Sequence, residues 1–122
     1  MHRGGGLAAL GEVVRAFADR ADVAAVVLLS TDGLTIHSGG RNSLDTDSTA
    51  ALAATFARQA GALAETTGLG SLETVVLEGA RGLAVVTRVG TDWLVVLPTE
   101  AADAGALLYD LRCHRPALAA LL

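Results

Sequence analysis

From Asp45 to Thr67 the chain has no proline, a single glycine and many alanines. That composition over such a length predicts one long helix. Asp45 or Asp47 can cap its start, where acidic side chains also suit the helix dipole. Gly68 and Gly70 supply the stop. At helical spacing the segment divides into faces. Leu52, Phe56 and Leu63 form a bulky stripe, and beside it lie only small residues: Ala50, Ala53, Ala57, Gly61 and Ala64. Arg58 and Glu65 mark the wet side. The expectation is that the bulky stripe meets the chain's own sheet. The small stripe is then left for close approach by a second helix, or for a tight fit on the sheet itself.

The segments around this helix read as strands. Val23–Ser30 and Leu34–Ser38 are β-rich runs joined through Thr31, Asp32 and Gly33, a hairpin signal. Gly39, Gly40, Arg41, Asn42 and Ser43 read as a loop. After the helix, runs near Leu72–Glu78, Leu83–Val89 and Trp93–Pro98 are separated by short glycine-containing turns, which predicts an antiparallel meander. A first helix is expected over Leu7–Arg20, with Leu7, Leu10, Val14 and Phe17 on one face, behind a flexible tail of residues 1–6. A last helix starts near Glu100, with Leu107, Leu111, His114 and Leu118 at helical spacing. Pro116 predicts a kink or break at Arg115.

The element string is therefore α-β-β-α-β-β-β-α, an α/β (α+β) arrangement. Strands one and five are nearly all apolar, which suits burial on both faces. Strand two alternates and strand three carries Glu73 and Glu78, so both suit sheet edges. These constraints give a five-stranded antiparallel sheet of order 2-1-5-4-3.

Composition removes several function classes. The net charge is −4, which disfavours nucleic acid and anionic membrane surfaces as partners. All nine basic residues are arginine. Without lysine there is no phosphate-loop lysine, Schiff base or Ser-Lys pair. The same bias suits a GC-rich bacterial genome. One cysteine, Cys113, permits no intrachain disulfide, and a reducing cytoplasm is the expected compartment. No run reaches the length of a membrane span. Cys113 reads as a buried small hydrophobe and Trp93 as a core anchor. His2, His37 and His114 lack ligand spacing, so neither a metal nor another cofactor is expected. Gly68–Ser71 precedes a strand, the wrong order for a phosphate cradle. No catalytic residue is assigned. Arg41 and Arg81 in loops, with Arg58 on the long helix, are candidates for contacting a partner.

The element order, together with Val26–Leu34 in the first hairpin, the alanine-rich middle helix and Trp93–Leu97 ahead of the last helix, resembles the roadblock (dynein light chain) family. The resemblance covers residues 7–122 as one domain. It implies a middle helix on one sheet face and the terminal helices on the other. It also implies dimers in which middle helices pack together and third strands pair. Ala50, Ala53, Ala57, Gly61, Ala64, Thr74 and Val76 are then the candidate interface, in a homodimer or a heterodimer with a paralogue. Bacterial members are commonly linked to Ras-like small GTPases, and no cargo-binding extension is seen here. The reading is a non-catalytic, cytoplasmic regulator or scaffold of such a GTPase. A PAS- or profilin-like small-ligand sensor and a structural adaptor without a GTPase link are the alternatives. The single continuous helix and 3% aromatic content weigh against a sensor pocket.

Overall fold

A computed structural model describes residues 3–40, 43–100 and 103–120. The elements run α1 (Arg3–Ala18), β1 (Val23–Leu29), β2 (Thr35–Gly40), α2 (Thr46–Thr66), β3 (Thr74–Gly79), β4 (Gly82–Val89), β5 (Asp92–Pro98) and α3 (Ala104–Ala120). The strands form one antiparallel sheet in the order β2-β1-β5-β4-β3. Element string and strand order both match the sequence reading.

Alternate strand residues face opposite sides of the sheet, and each side builds its own core. Val26, Leu28, Val85, Val89, Leu94 and Val96 meet Leu10, Val14 and Phe17 of α1 and Leu107 and Leu111 of α3. Val27, Leu29, Val86, Trp93 and Val95 meet α2. The two apolar strands, β1 and β5, lie side by side and are buried along most of their length. Asp45 caps α2 by accepting a hydrogen bond from the Ser48 amide at 3.1 Å. The expected glycine stop at Gly68 follows directly after Thr67.

Four local expectations are corrected. First, α1 begins at Arg3, so the glycine triplet expected as a tail forms its first turns. First-turn amides need no partner within the helix, which lessens the demand on those residues. Met1 and His2 lie outside the described residues.

Second, Gly39 and Gly40 belong to β2, paired with Val26 and Ala25, and not to a loop. Gly39 is small because α1 lies close above: a Cβ there would come within 2.9 Å of Ala18 Cβ. Gly11 of α1 plays the same part over His37, whose ring a Cβ there would meet at 2.8 Å.

Third, α3 is not broken at Arg115 and continues through Pro116 to Ala120. Pro116 forfeits one amide bond, toward the Arg112 carbonyl, and Arg112 is exposed. Water can satisfy that carbonyl, so the helix survives.

Fourth, Cys113 is exposed rather than buried. It lies off the Leu107–Leu111 stripe that faces the sheet. Tyr109 lies one turn away, and the neighbouring Cys113 side chain pushes its phenol above the ordinary range.

A charged clamp ties the terminal helices together across the turn after α1. Arg20 donates to Asp22 Oδ1 at 2.9 Å and Oδ2 at 2.8 Å, and to Asp110 on α3 at 2.9 Å. The guanidinium holds the Asp22 carboxyl below the usual range, chiefly through these hydrogen bonds. A carboxyl depressed in the folded state stabilises above its unfolded value. That contribution is lost as pH falls through the folded value. Asp22→Asn should therefore lower stability at pH 7 and flatten the acid limb of stability below about pH 4, read by urea denaturation across pH. Leu111→Ala should cost about 2–5 kcal/mol in the same assay.

Candidate functional site

The helix α2 exposes what the sequence reading would have buried. At 100° per residue, Ala50, Ala53, Ala54, Ala57 and Ala64 fall on one side. All five are buried, and the first four pack against Val27, Leu29, Trp93 and Val95 of the chain's own sheet. Gly61 is half-buried against Leu72. The bulky stripe points outward: Leu52 is 70% exposed and Leu63 65%, with Phe56 between them half-exposed.

The roles assigned to the two stripes are thus exchanged. The sheet supplies the volume here, through four branched aliphatic side chains and an indole. Only methyl-sized groups fit between that surface and the helix backbone. The placement of Ala50, Ala53, Ala57, Gly61 and Ala64 toward a partner helix is corrected accordingly.

Beside α2 the same sheet face is open. Val75 pairs with Val86 and Leu77 with Ala84, so these β3 residues share the α2 side. Leu77 is 53% exposed. The wheel places Phe56, Leu63 and Leu52 on one flank of α2 and Arg58 and Glu65 on the other. Leu52 and Leu63 on α2 and Leu77 on the same side of the sheet are exposed apolar groups of the kind that, gathered together, mark an interaction site.

Thr74 and Val76 face the opposite way, toward α3. Thr74 Oγ1 lies 2.9 Å from Thr87 Oγ1 and accepts from Arg115 at 3.4 Å. Arg115 also donates to Glu73 at 3.1 Å. Thr74 is thus engaged within the chain, and Val76 is partly exposed on the α3 side. Among the described strands β3 pairs with β4 alone, so its outer edge is open.

The two described candidate arginines are not brought together. Arg81 sits in the β3–β4 turn, in a cleft shared with Glu78 and Glu100. Arg58 lies near the other end of β4, in a cleft with Arg88 and Trp93. The intervening strand spans roughly 20 Å. Arg41 lies outside the described residues. Trp93 is buried, as a core anchor should be, and the Arg88 guanidinium carbon lies 5.3 Å from its ring centroid. Among the described residues no group of three His, Cys, Asp or Glu could hold a metal ion. None of the described helices is long and apolar enough to cross a membrane.

Sequence reasoning missed Leu77 and gave Leu52 and Leu63 the wrong role. The available signal was an edge strand apolar at Val75, Val76 and Leu77 together, which no single covered face requires.

The sheet order, the helix on each face and the alanine-lined seat of α2 define a known class of small interaction fold. The Roadblock/LC7 domain profile matches residues 9–98, and the chain belongs to that family. Among solved structures, MglB of Myxococcus xanthus is 24% identical, with a TM-score of 0.85, covering 95% of this chain and 92% of that one. A Roadblock/LC7 domain from Streptomyces avermitilis is 29% identical, with a TM-score of 0.75 and coverage of 88% and 96%. The gliding protein MglB of Thermus thermophilus is 20% identical, with a TM-score of 0.78 and coverage of 96% and 88%. No curated protein sequence matches the chain significantly.

The exchange of faces has a direct test. Ala57→Leu should destabilise the fold by about 1–3 kcal/mol through overpacking. Leu63→Ala, at an exposed site, should change it by no more than about 0.5 kcal/mol under conditions where the chain is monomeric. Chemical denaturation of both variants distinguishes the two assignments, and equal costs would contradict them.

Proposed function

We propose that this chain is a dimeric, non-catalytic interaction module that regulates or scaffolds a Ras-like small GTPase in the cytoplasm. The observation that carries the dimer is the exposure of Leu52 and Leu63 on α2, with Phe56 partly exposed between them and Leu77 of β3 exposed on the same side of the sheet. A twofold copy can cover these groups with its own α2 while the open edges of the two β3 strands pair. Leu52, Phe56 and Leu63 replace the alanine stripe as the helix–helix contact in this reading. Family membership supports the interaction role, and the link to a GTPase comes through the family's bacterial members.

The non-catalytic reading rests on chemistry. Lysine is absent from the chain, and the hydroxyl–carboxylate pairs Ser48–Asp45 and Thr35–Asp47 are exposed contacts at the start of α2, where Asp45 serves as the cap. Arg20, the most strongly engaged arginine, is held by two carboxylates in a structural clamp.

The wild-type chain should sediment as a dimer at micromolar concentration. Leu63→Asp should weaken the dimer at least about tenfold, roughly 1.4 kcal/mol, without loss of helical signal. A wild-type monomer would overturn the dimer. Immobilised protein should capture its cognate Ras-like GTPase differently when that GTPase carries GTP or GDP. Equal capture of both forms would leave a scaffold and remove the regulator.

A further inference from the structure

A cleft opens between the C-terminal half of α2 and the ends of β4 and β5, on the flank of α2 away from Leu52 and Leu63. It has a volume of about 340 Å³, and Thr31, Arg58, Gly61, Glu65, Arg88 and Trp93 line it. Two of these residues are arginines with no carboxylate at ion-pair distance among the described residues. The side chain of neither Arg58 nor Arg88 takes part in an ion pair or hydrogen bond there. The polar groups with a structural part to play at the start of α2 do have partners, as the Asp45 cap illustrates.

Arg88 is the unusual member. Its guanidinium lies over the Trp93 ring, and its Nε is buried with no hydrogen-bond acceptor among the described residues. A buried N–H of a charged group without an acceptor is costly, and folded proteins keep few of them. The cation–π contact with Trp93 restrains the guanidinium. A restrained guanidinium edge offers parallel N–H groups at the spacing of two oxygens of a carboxylate or phosphate. Arg58 adds a second cation from the helix side, and the Thr31 hydroxyl is a further donor on the rim.

Glu65 lines the same cleft and is also unpaired among the described residues. It lies two turns from Arg58 on the same flank of α2. Its carboxylate competes with any anion that enters.

The geometry points to this cleft as a binding site for an oxyanion, a carboxylate or phosphate group, held by Arg88 and Arg58 and opposed by Glu65. The ligand group would meet the terminal N–H groups of Arg88 from the cleft, since its Nε–H is closed off from solvent. Two partly exposed guanidiniums facing one carboxylate give a site of modest affinity, so a Kd of order 1–10 mM is expected for a bare ion. The site does not depend on the dimer contact, because it occupies the other flank of α2.

The test is a titration of the full chain followed by arginine side-chain NMR and by Trp93 fluorescence, Trp93 being the only tryptophan. Inorganic phosphate is added in one arm and acetate in the other, each against chloride at matched ionic strength. The Arg88 Nε–H signal should shift saturably in at least one arm. The arm that saturates names the chemistry: phosphate for a phosphorylated ligand, acetate for a carboxylate. Arg58→Gln should weaken binding at least about tenfold, and Glu65→Gln should tighten it several-fold. Both positions are exposed, so both variants should fold even if Arg88→Gln does not. No saturation in either arm would overturn the proposal. So would shifts of equal size at Arg81 and Arg112, or a response that Arg58→Gln and Glu65→Gln leave unchanged.

Discussion

The fold turns on how closely α2 can lie on its sheet. Ala50, Ala53, Ala54 and Ala57 present methyl groups to Val27, Leu29, Val86, Val95 and Trp93, and the sheet side supplies nearly all the volume. Interiors are close-packed, so a leucine on that helix face would lift the whole helix. The close seat also has an outward consequence. A helix whose small residues are spent inward must carry its large apolar residues on a flank. Leu52 and Leu63 are therefore exposed because the alanines are buried, and the monomer's core and its interaction surface are one design.

The opposite face is built on another principle. There α1 and α3 contribute leucines, valine and phenylalanine to a conventional core, and glycines let α1 approach β2. The Arg20–Asp22–Asp110 clamp fixes the end of α1 to α3 across the turn between α1 and β1. The chain itself covers this face over β1, β5 and β4, and leaves Val76 of β3 partly exposed. The α2 face is closed over β1 and β5 but left open toward β3. The exposed Leu52 and Leu63 on α2 itself are the physical basis for placing a partner on that side.

Much of this was legible in the sequence. The apolar character of Val23–Leu29 and Trp93–Leu97 put those strands at the sheet centre, and Glu73 and Glu78 put β3 at an edge. Helix orientation was not legible. A wheel separates the alanine stripe from the leucine stripe without saying which one a sheet prefers. That depends on side-chain volume coming from β1, β4 and β5, far away in sequence. The Gly39–Gly40 pair failed as a loop signal for a related reason. Glycine at a close approach and glycine in a loop look alike until the neighbouring helix is placed. The Arg88–Trp93 pair was hidden because its members meet only through the register of β4 against β5.

The central claim is that the bulky flank of α2, rather than its alanine face, meets a second copy of the chain. Spin labels at Leu63→Cys, in a Cys113→Ser background, measure this directly by pulsed dipolar spectroscopy. Packed helices lie about 8–10 Å apart axis to axis, so one narrow interchain distance below about 30 Å is expected. A label on the far flank at Arg58→Cys should lengthen that distance. A broad distribution at Leu63→Cys, or no interchain coupling at concentrations where the chain sediments as a dimer, would contradict the claim.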